Sequence, residues 1–431
     1  MSVSPIDPSS SPVWARDDAF PSAPAGWGWV SEKKDTFPCE SLEALRTILR
    51  EDRTGSVTLV WTPDNPRMVL PEELEGMGPA LREAREIWTR NDLVDAQLRL
   101  RWLGAGLALF SAFAWLQGWM IAGQLAARSG ITISFTQQFV FSLRTMFGST
   151  QVGLAMLIFT IFGFIPWYQA RKHRREMVTW TESNLAAAVP TLRFETWLGH
   201  QKAPVTRICL GLIAAVAIAQ WFSKVPTEGW TSMISIFQTW RGIEEAGLVK
   251  SLVREGEWWR LLTAPFLHGN ILHLLMNASA LAYLGKRVEV FARWPHLPLI
   301  FLFSAVIGGE ASARFVAAPS VGASGGLMGL LGFLLVFETL HEKLVPRRAR
   351  RRLVAGVLLT GLIGIIGFRY IDNAAHIGGL IAGVAYGAIV FPSSASPHRP
   401  RSTSTDRIAG FAALAVMVVA ALFAISRLAA H

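Results

Sequence analysis

The chain has two cysteines in 431 residues, Cys39 and Cys209, and four tyrosines beside 17 tryptophans and 25 phenylalanines. Two isolated thiols exclude a disulfide framework. The stretch nearest to H-E-x-x-H is HEKLV (341–345), with valine where the second histidine is needed, so zinc-peptidase chemistry is excluded and no metal or cofactor is expected. Charge is scarce, at 17% of residues against 51% hydrophobic. That balance excludes an ordinary soluble domain. The opening MSVSPIDPSSSPVWARDDAF lacks the basic-then-apolar pattern of a cleavable signal peptide, so insertion is expected to use the first true span.

The charge that is present is unevenly placed. Residues 1–100 hold 17 acidic and 11 basic side chains, net −6; the other 331 hold 14 and 30, net +16. The basic excess thus falls among the apolar segments, where it sets orientation in a bilayer, and nucleic-acid binding is not expected.

Residues 1–28, rich in Pro and Ser, read as a disordered lead. Residues 29–100 read as a small cytoplasmic α+β module, with SVTLVWT (56–62) strand-like and PEELEGMGPALREAREIWTR (71–90) helical behind Pro71. Within 101–175, two charge-free runs, Trp102–Ala127 and Thr145–Ala170, exceed the roughly 20 residues that cross a bilayer. A linker over 176–203 follows. Residues 204–431 hold seven further candidate spans, near 205–223, 266–285, 296–314, 322–340, 353–370, 372–391 and 408–427. The basic loops RKHRRE (171–176), GKRVEVFAR (285–293), PRRARRR (346–352) and HRPRSTSTDR (398–407) fall on one side if the N-terminus is cytoplasmic. The fold expected is an all-α polytopic membrane bundle of nine spans with an external C-terminus. No organelle-targeting pattern is visible, which points to a bacterial inner membrane.

Three segments carry side chains that are expensive in hydrocarbon. In HGNILHLLMN (268–277), His273 and Asn277 share one helical face and His268 precedes them. In VGASGGLMG (321–329), Ser324 sits among Gly322, Gly325, Gly326 and Gly329, whose spacing by four lets another backbone approach. In DNAAHIGGLIAGVAYG (372–387), Ala375, Gly379, Gly383 and Gly387 form a small-residue stripe with His376 beside it. Alone, a membrane serine usually bonds back to its own helix. If the two small-residue faces meet, His376 reaches the Ser324 hydroxyl and the pair becomes nucleophile and general base. Asp372, four residues before His376, is the available third member, though its place nearer the surface favours a dyad.

Together these segments resemble the rhomboid family of intramembrane serine proteases. The family's Gly-x-Ser-Gly is met by Gly322-Ala323-Ser324-Gly325, its His-x4-His-x3-Asn by His268, His273 and Asn277, and its Ala-His with following small residues by Ala375-His376 and Gly379. A Trp-Arg preceded by an acidic residue in the first loop is met by EWWR, with Glu257, Trp259 and Arg260. The likeness covers roughly residues 200–430.

The resemblance implies a six-helix core, here with one C-terminal and two N-terminal extra spans. It implies Ser324 as nucleophile, His376 as base, and an oxyanion hole of His273, Asn277 and the Ser324 N–H supported by His268. Glu257, Trp259 and Arg260 would order the first loop, and Asn373 would help to keep the external end wet. The implied partners are the lipid bilayer and single-span or multi-span membrane proteins, cut in or next to a transmembrane helix. A catalytically silent relative that binds and escorts membrane helices is the alternative. Aspartyl intramembrane chemistry would need a second membrane aspartate beside Asp372. Transport would leave EWWR and the Ser/His placement without a role.

Overall fold

The computed structural model describes residues 11–52, 54–223, 242–368 and 371–430. Two compact units emerge: one comprises 20–192 with 361–370, the other 1–19, 193–360 and 371–431.

In the first unit the alternating segments around Trp29 and Leu59 form a three-stranded antiparallel sheet. Its strands are β1 (Trp27–Ser31), β2 (Thr36–Cys39) and β3 (Val57–Trp61), in the order β2-β1-β3. Trp29 pairs with Phe37 on one side and Val60 on the other. Between β2 and β3 runs α1 (Leu42–Glu51), started by Ser41, whose hydroxyl accepts the Ala44 N–H. It buries Leu45 and Leu49 against Val60, Met77 and Leu81.

The module is not separate from the first span. The helix expected over 71–90 and the span expected from Trp102 are one continuous helix, α2 (Gly78–Ser129), and Pro71 instead opens a short turn of 3-10 helix. At 52 residues α2 is about 78 Å long, far more than a hydrocarbon core of about 30 Å. Its charged first half therefore extends beyond the bilayer.

An unforeseen helix, α3 (Phe135–Gly148), follows, begun by a capping box of Ser134 and Gln137. It lies so close to α2 that a Cβ at Gly118 would stand 2.9 Å from the Ser142 Cα. The second expected span begins at 150, not 145, because the chain leaves the helix at Ser149. It runs through α4 (Thr150–Ile158), a π-helical turn at Phe159–Phe164 and α5 (Ile165–Val178). Pro166 has no N–H to donate, which accounts for the widened turn just before it. The segment read as a linker is largely α6 (Glu182–His200), with Pro190 inside it.

After α6 the chain forms α7 (Pro204–Phe222), the short α8 (Ile243–Ala246), α9 (Lys250–Arg254) and α10 (Arg260–Thr263), then α11 (Ile271–Phe291), α12 (His296–Phe315), α13 (Ser324–Leu340), α14 (Arg347–Ile366), α15 (Asn373–Val390) and α16 (Ser404–Ala429), all in the second unit except the end of α14 from residue 361. The helices α7 and α11–α16 overlap the seven spans expected in 204–431, with Ile271 opening α11 later than the expected 266 and Arg347 opening α14 earlier than the expected 353. Among the described residues, five helices are long and apolar enough to cross a membrane: α2, α7, α12, α15 and α16, with α13 a shorter apolar helix. The chain is an integral membrane protein with a helical bundle. Between the spans expected near 205–223 and 266–285, residues 224–241 lie outside the described residues.

Buried charges are paired at helix ends. The Glu289 carboxylate accepts the N–H groups of Val205 (3.0 Å) and Thr206 (2.8 Å) at the start of α7, where the helix dipole favours an anion. Arg287 meets Glu338 at 2.7 Å with both side chains buried.

Asp52 holds the turn between α1 and β3. Its carboxylate accepts the N–H groups of Thr54, Ser56 and Val57 and the Ser56 hydroxyl. Partial burial alone would raise its pKa, but these donors outweigh it and hold the carboxyl below the ordinary range. The resulting stability is present above an unfolded carboxyl pKa of about 3.9 and is lost as pH falls through the lower folded value. Asp52→Ala is expected to weaken this turn by about 1 kcal/mol, discounted for exposure. Faster amide exchange at Ser56 and Val57, by roughly fivefold, checks this; unchanged exchange refutes it.

Candidate active site

The start of α13 is built around a glycine. Gly322 has φ +124°, a backbone conformation that side chains disfavour, and its N–H is held by the Ala264 carbonyl at 3.0 Å. A Cβ there would stand 2.6 Å from the His273 ring and 3.4 Å from Asn277 Nδ2. The bare backbone therefore lets both side chains come within two residues of Ser324. Ser324 is the first residue of α13 and half-buried, and the first helical bond runs from Leu327 N to Ala323 O. The N–H groups of Ser324, Gly325 and Gly326 thus belong to the unbonded first turn, where backbone donors and the helix dipole favour developing negative charge.

Asn270 starts α11 by accepting the His273 N–H at 2.9 Å, so His273 lies in the first turn and Asn277 one turn further on. His268 is not on this helix. It lies in the segment before it, fully buried, with its ring centroid 5.1 Å from that of His273 and its Nε2 3.0 Å from Asn277 Nδ2. Gln220 of α7 grips the His268 backbone from both sides: its Oε1 accepts the N–H at 2.9 Å and its Nε2 donates to the carbonyl at 3.2 Å. Sequence reasoning missed Gln220. A glutamine within an apolar span, in AIAQWF, was the available signal, because such a side chain must find partners in hydrocarbon.

The histidine helix approaches through its small residues. A Cβ at Gly379 would come within 2.0 Å of the Gly325 carbonyl oxygen, and one at Gly383 within 1.9 Å of the Gly329 oxygen. On its other side α15 meets α12, where a Cβ at Gly308 would stand 2.6 Å from the Ala375 oxygen. Ala375 and His376 therefore lie at the end of the α13–α15 contact where Ser324 begins α13. Among the described residues no hydrogen bond joins Ser324 to His376 directly. Asp372 caps α15: its Oδ1 accepts the Ala375 N–H at 2.9 Å and its Oδ2 accepts the Ser312 hydroxyl. The Asn373 N–H bonds to the Ile371 carbonyl at 2.9 Å. Ser324, Gly322 and Gly325 share a cavity of about 40 Å³ with Ser320, Asp372 and Ala375.

EWWR staples the segment ahead of α11. Arg260 is buried; its Nε donates to Glu257 at 2.5 Å and its Nη1 to the Gly247 carbonyl at 2.8 Å. Its guanidinium lies 4.6 Å over the Trp259 ring, which packs edge-on against Phe423 of α16. Trp258 is exposed. Among the described residues no group of three or more His, Cys, Asp or Glu side chains is placed to hold a metal ion.

The packed apolar helices around the start of α13 define this as a helical membrane protein. Comparison with known proteins goes further. Residues 255–393 match the family model described as the rhomboid domain, and it is this region of the chain that is rhomboid-like. It is similar to the rhomboid protease GluP of Bacillus subtilis, 39% identical over 137 residues, covering 31% of this chain and 26% of that protein. It is also similar to RHOMBOID-like protein 4 of Arabidopsis thaliana, 33% identical over 154 residues (36% and 38% of the two chains). RHOMBOID-like protein 7 of the same plant is 33% identical over 180 residues, 40% of this chain and 56% of that protein. The chain thus spans between about a quarter and a little over half of these relatives' lengths.

The α13–α15 contact admits no Cβ at Gly379. Gly379→Val is expected to lower unfolding free energy by about 1–3 kcal/mol through overpacking. Gly211→Ala, where a Cβ meets nothing within 4 Å, is the control expected to change little. Thermal denaturation of the two variants checks this, and equal melting temperatures would refute the close contact.

Proposed function

We propose that the chain is an intramembrane serine endopeptidase, hydrolysing peptide bonds in or next to transmembrane helices of single-span or multi-span membrane proteins. The observation that carries this reading is the glycine contact of α13 with α15, Gly325 against Gly379 and Gly329 against Gly383, which brings the histidine's helix onto the serine's helix. The rhomboid-domain match over residues 255–393 and the likeness to a protein named a protease support it.

In the proposed mechanism His376 takes the Ser324 hydroxyl proton as Oγ attacks the substrate carbonyl carbon. The carbonyl oxygen becomes an oxyanion, held by the Ser324 N–H, His273 and Asn277. His376 then hands its proton to the leaving amine, and water, deprotonated by the same imidazole, releases the acyl group. His268 supports Asn277, and Gln220 fixes His268. Each oxyanion donor is worth about 10²–10³ in rate where water is scarce. Asp372 acts as a helix cap and not as the third member of a triad, a reading supported by the engagement of its two oxygens with Ala375 and Ser312. The orientation proposed places the N-terminus in the cytoplasm and the C-terminus outside, in a bacterial inner membrane.

The missing direct hydrogen bond between Ser324 and His376 favours one second reading, a silent rhomboid-like protein that binds membrane helices. Catalytic hydrogen bonds commonly tighten only when substrate is bound, so the protease reading stands ahead of it. A panel of single-span reporters separates the two. The wild type is expected to cleave at least one of them and to react with a fluorophosphonate at Ser324. Ser324→Ala and His376→Ala are expected to abolish cleavage, and His273→Ala and Asn277→Ala to lower kcat by about 10²–10³ each. Cleavage that survives Ser324→Ala would falsify the mechanism; reporters bound but never cut by the wild type would establish the silent reading.

A further inference from the structure

The cluster around Asp372 has more in it than a helix cap. Lys250 of α9 is almost fully buried, and its ammonium donates to the Ala318 carbonyl at 2.7 Å and to the Ser320 hydroxyl at 2.5 Å. Ser320 Oγ lies 3.1 Å from Ser312 Oγ, and the Ser312 hydroxyl donates to Asp372. Asp372 in turn accepts the Ala375 N–H through its side chain and the His376 N–H through its carbonyl, at 2.9 and 3.1 Å. An ammonium only donates and a carboxylate only accepts, so the two hydroxyls between them are oriented without choice. Every proton points from Lys250 toward Asp372, an arrangement in which successive hydrogen bonds polarise one another.

The chain of contacts touches both halves of the site. Ser320 lies four residues before Ser324, and Asp372 four before His376. Ser320 is also paired with Leu248 through two backbone bonds, of 2.9 and 3.2 Å, which tie the segment before α9 to the segment before α13. Burial pushes the Lys250 ammonium down to about 8 against the pull of Asp372, so it stays mostly charged at neutral pH. With Lys250 buried and Asp372 half-buried, the charge pair linked through hydroxyls is expected to add little net stability and to act by specifying the arrangement of the elements it joins.

We propose that Lys250, Ser320, Ser312 and Asp372 form a one-way hydrogen-bonded chain that positions the first turn of α15, and with it His376, against the start of α13. The four are positioning residues and none touches the reacting atoms. The proposal deepens the protease reading and rests on it for the role of His376; its structural half, the holding of the first turn of α15, does not.

The test uses the full-length protein in detergent or vesicles, with Ser312→Ala, Lys250→Met, their double variant, Asp372→Ala and Asp372→Asn. Two quantities are read: kcat and KM on a cleaved reporter, and amide hydrogen exchange over 373–378. Ser312→Ala and Lys250→Met are each expected to lower kcat about tenfold, with KM within twofold, and to speed exchange of the α15 turn about tenfold. Because the links are in series, the double variant is expected to fall no further than the worse single. Asp372→Asn keeps an oxygen for the Ala375 N–H but places a donor where the Ser312 hydroxyl must be accepted, so it is expected to lose kcat about as Ser312→Ala does, whereas Asp372→Ala, which loses the cap as well, is expected to lose more. Additive losses in the double variant, a rise in KM with kcat unchanged, or unaltered exchange over 373–378 would overturn the proposal. A wild type that neither cleaves nor labels would defeat the protease reading alone, and exchange would still decide whether the chain holds α15.

Discussion

The candidate site in the second unit depends on two helices that touch at their backbones. α13 and α15 approach until carbonyl oxygens of one occupy the space a Cβ would need on the other. Van der Waals packing of this kind is what drives helix association in a bilayer, where burying apolar side chains offers no gain over lipid. The same contact fixes depth. Once Gly325 faces Gly379, the serine and the histidine are each set within a few residues of one shared point along both helices. α12 packs against α15 with a glycine of its own, so the histidine's helix is clamped from two sides.

Around that contact several polar groups hold one another in layers. His268 leans on Asn277, Gln220 holds the His268 backbone, and Arg260 ties the loop ahead of them to Gly247 and Glu257. Buried donors and acceptors without partners are costly, and each of these contacts removes one such cost while restricting the motion of the next residue inward. Ordering thus runs from Trp259, seated between α16 and the guanidinium, through Arg260 toward the neighbourhood of Ser324.

Much of this was legible in the sequence because glycine spacing and buried polar residues are periodic signals. The positions of α7 and α11–α16 and the small-residue faces of α13 and α15 could be read from the chain itself. What could not be read were breaks and continuities set by single residues. His268 was expected within the span near 266–285, whose helix starts only after Asn270, because an N-cap is a local geometric event that hydropathy does not register. The fusion of the module's helix with the first span escaped for the opposite reason: a change from charged to apolar composition looks like a boundary, yet nothing in 90–102 interrupts the helix. Ser312 and Ser320 gave no signal at all, since isolated hydroxyls gain meaning only from the partners that folding brings to them.

The continuity of α2 has a mechanical meaning. The module's hydrophobic cluster is built on the first turns of a helix whose far half is apolar enough to cross a membrane. A coil tether would let such a module swivel freely. A continuous helix transmits torque, so turning the module about the helix axis turns the membrane-crossing half with it. The module is held at a set height from the bilayer, and its angular phase is tied to the face that the span presents to lipid.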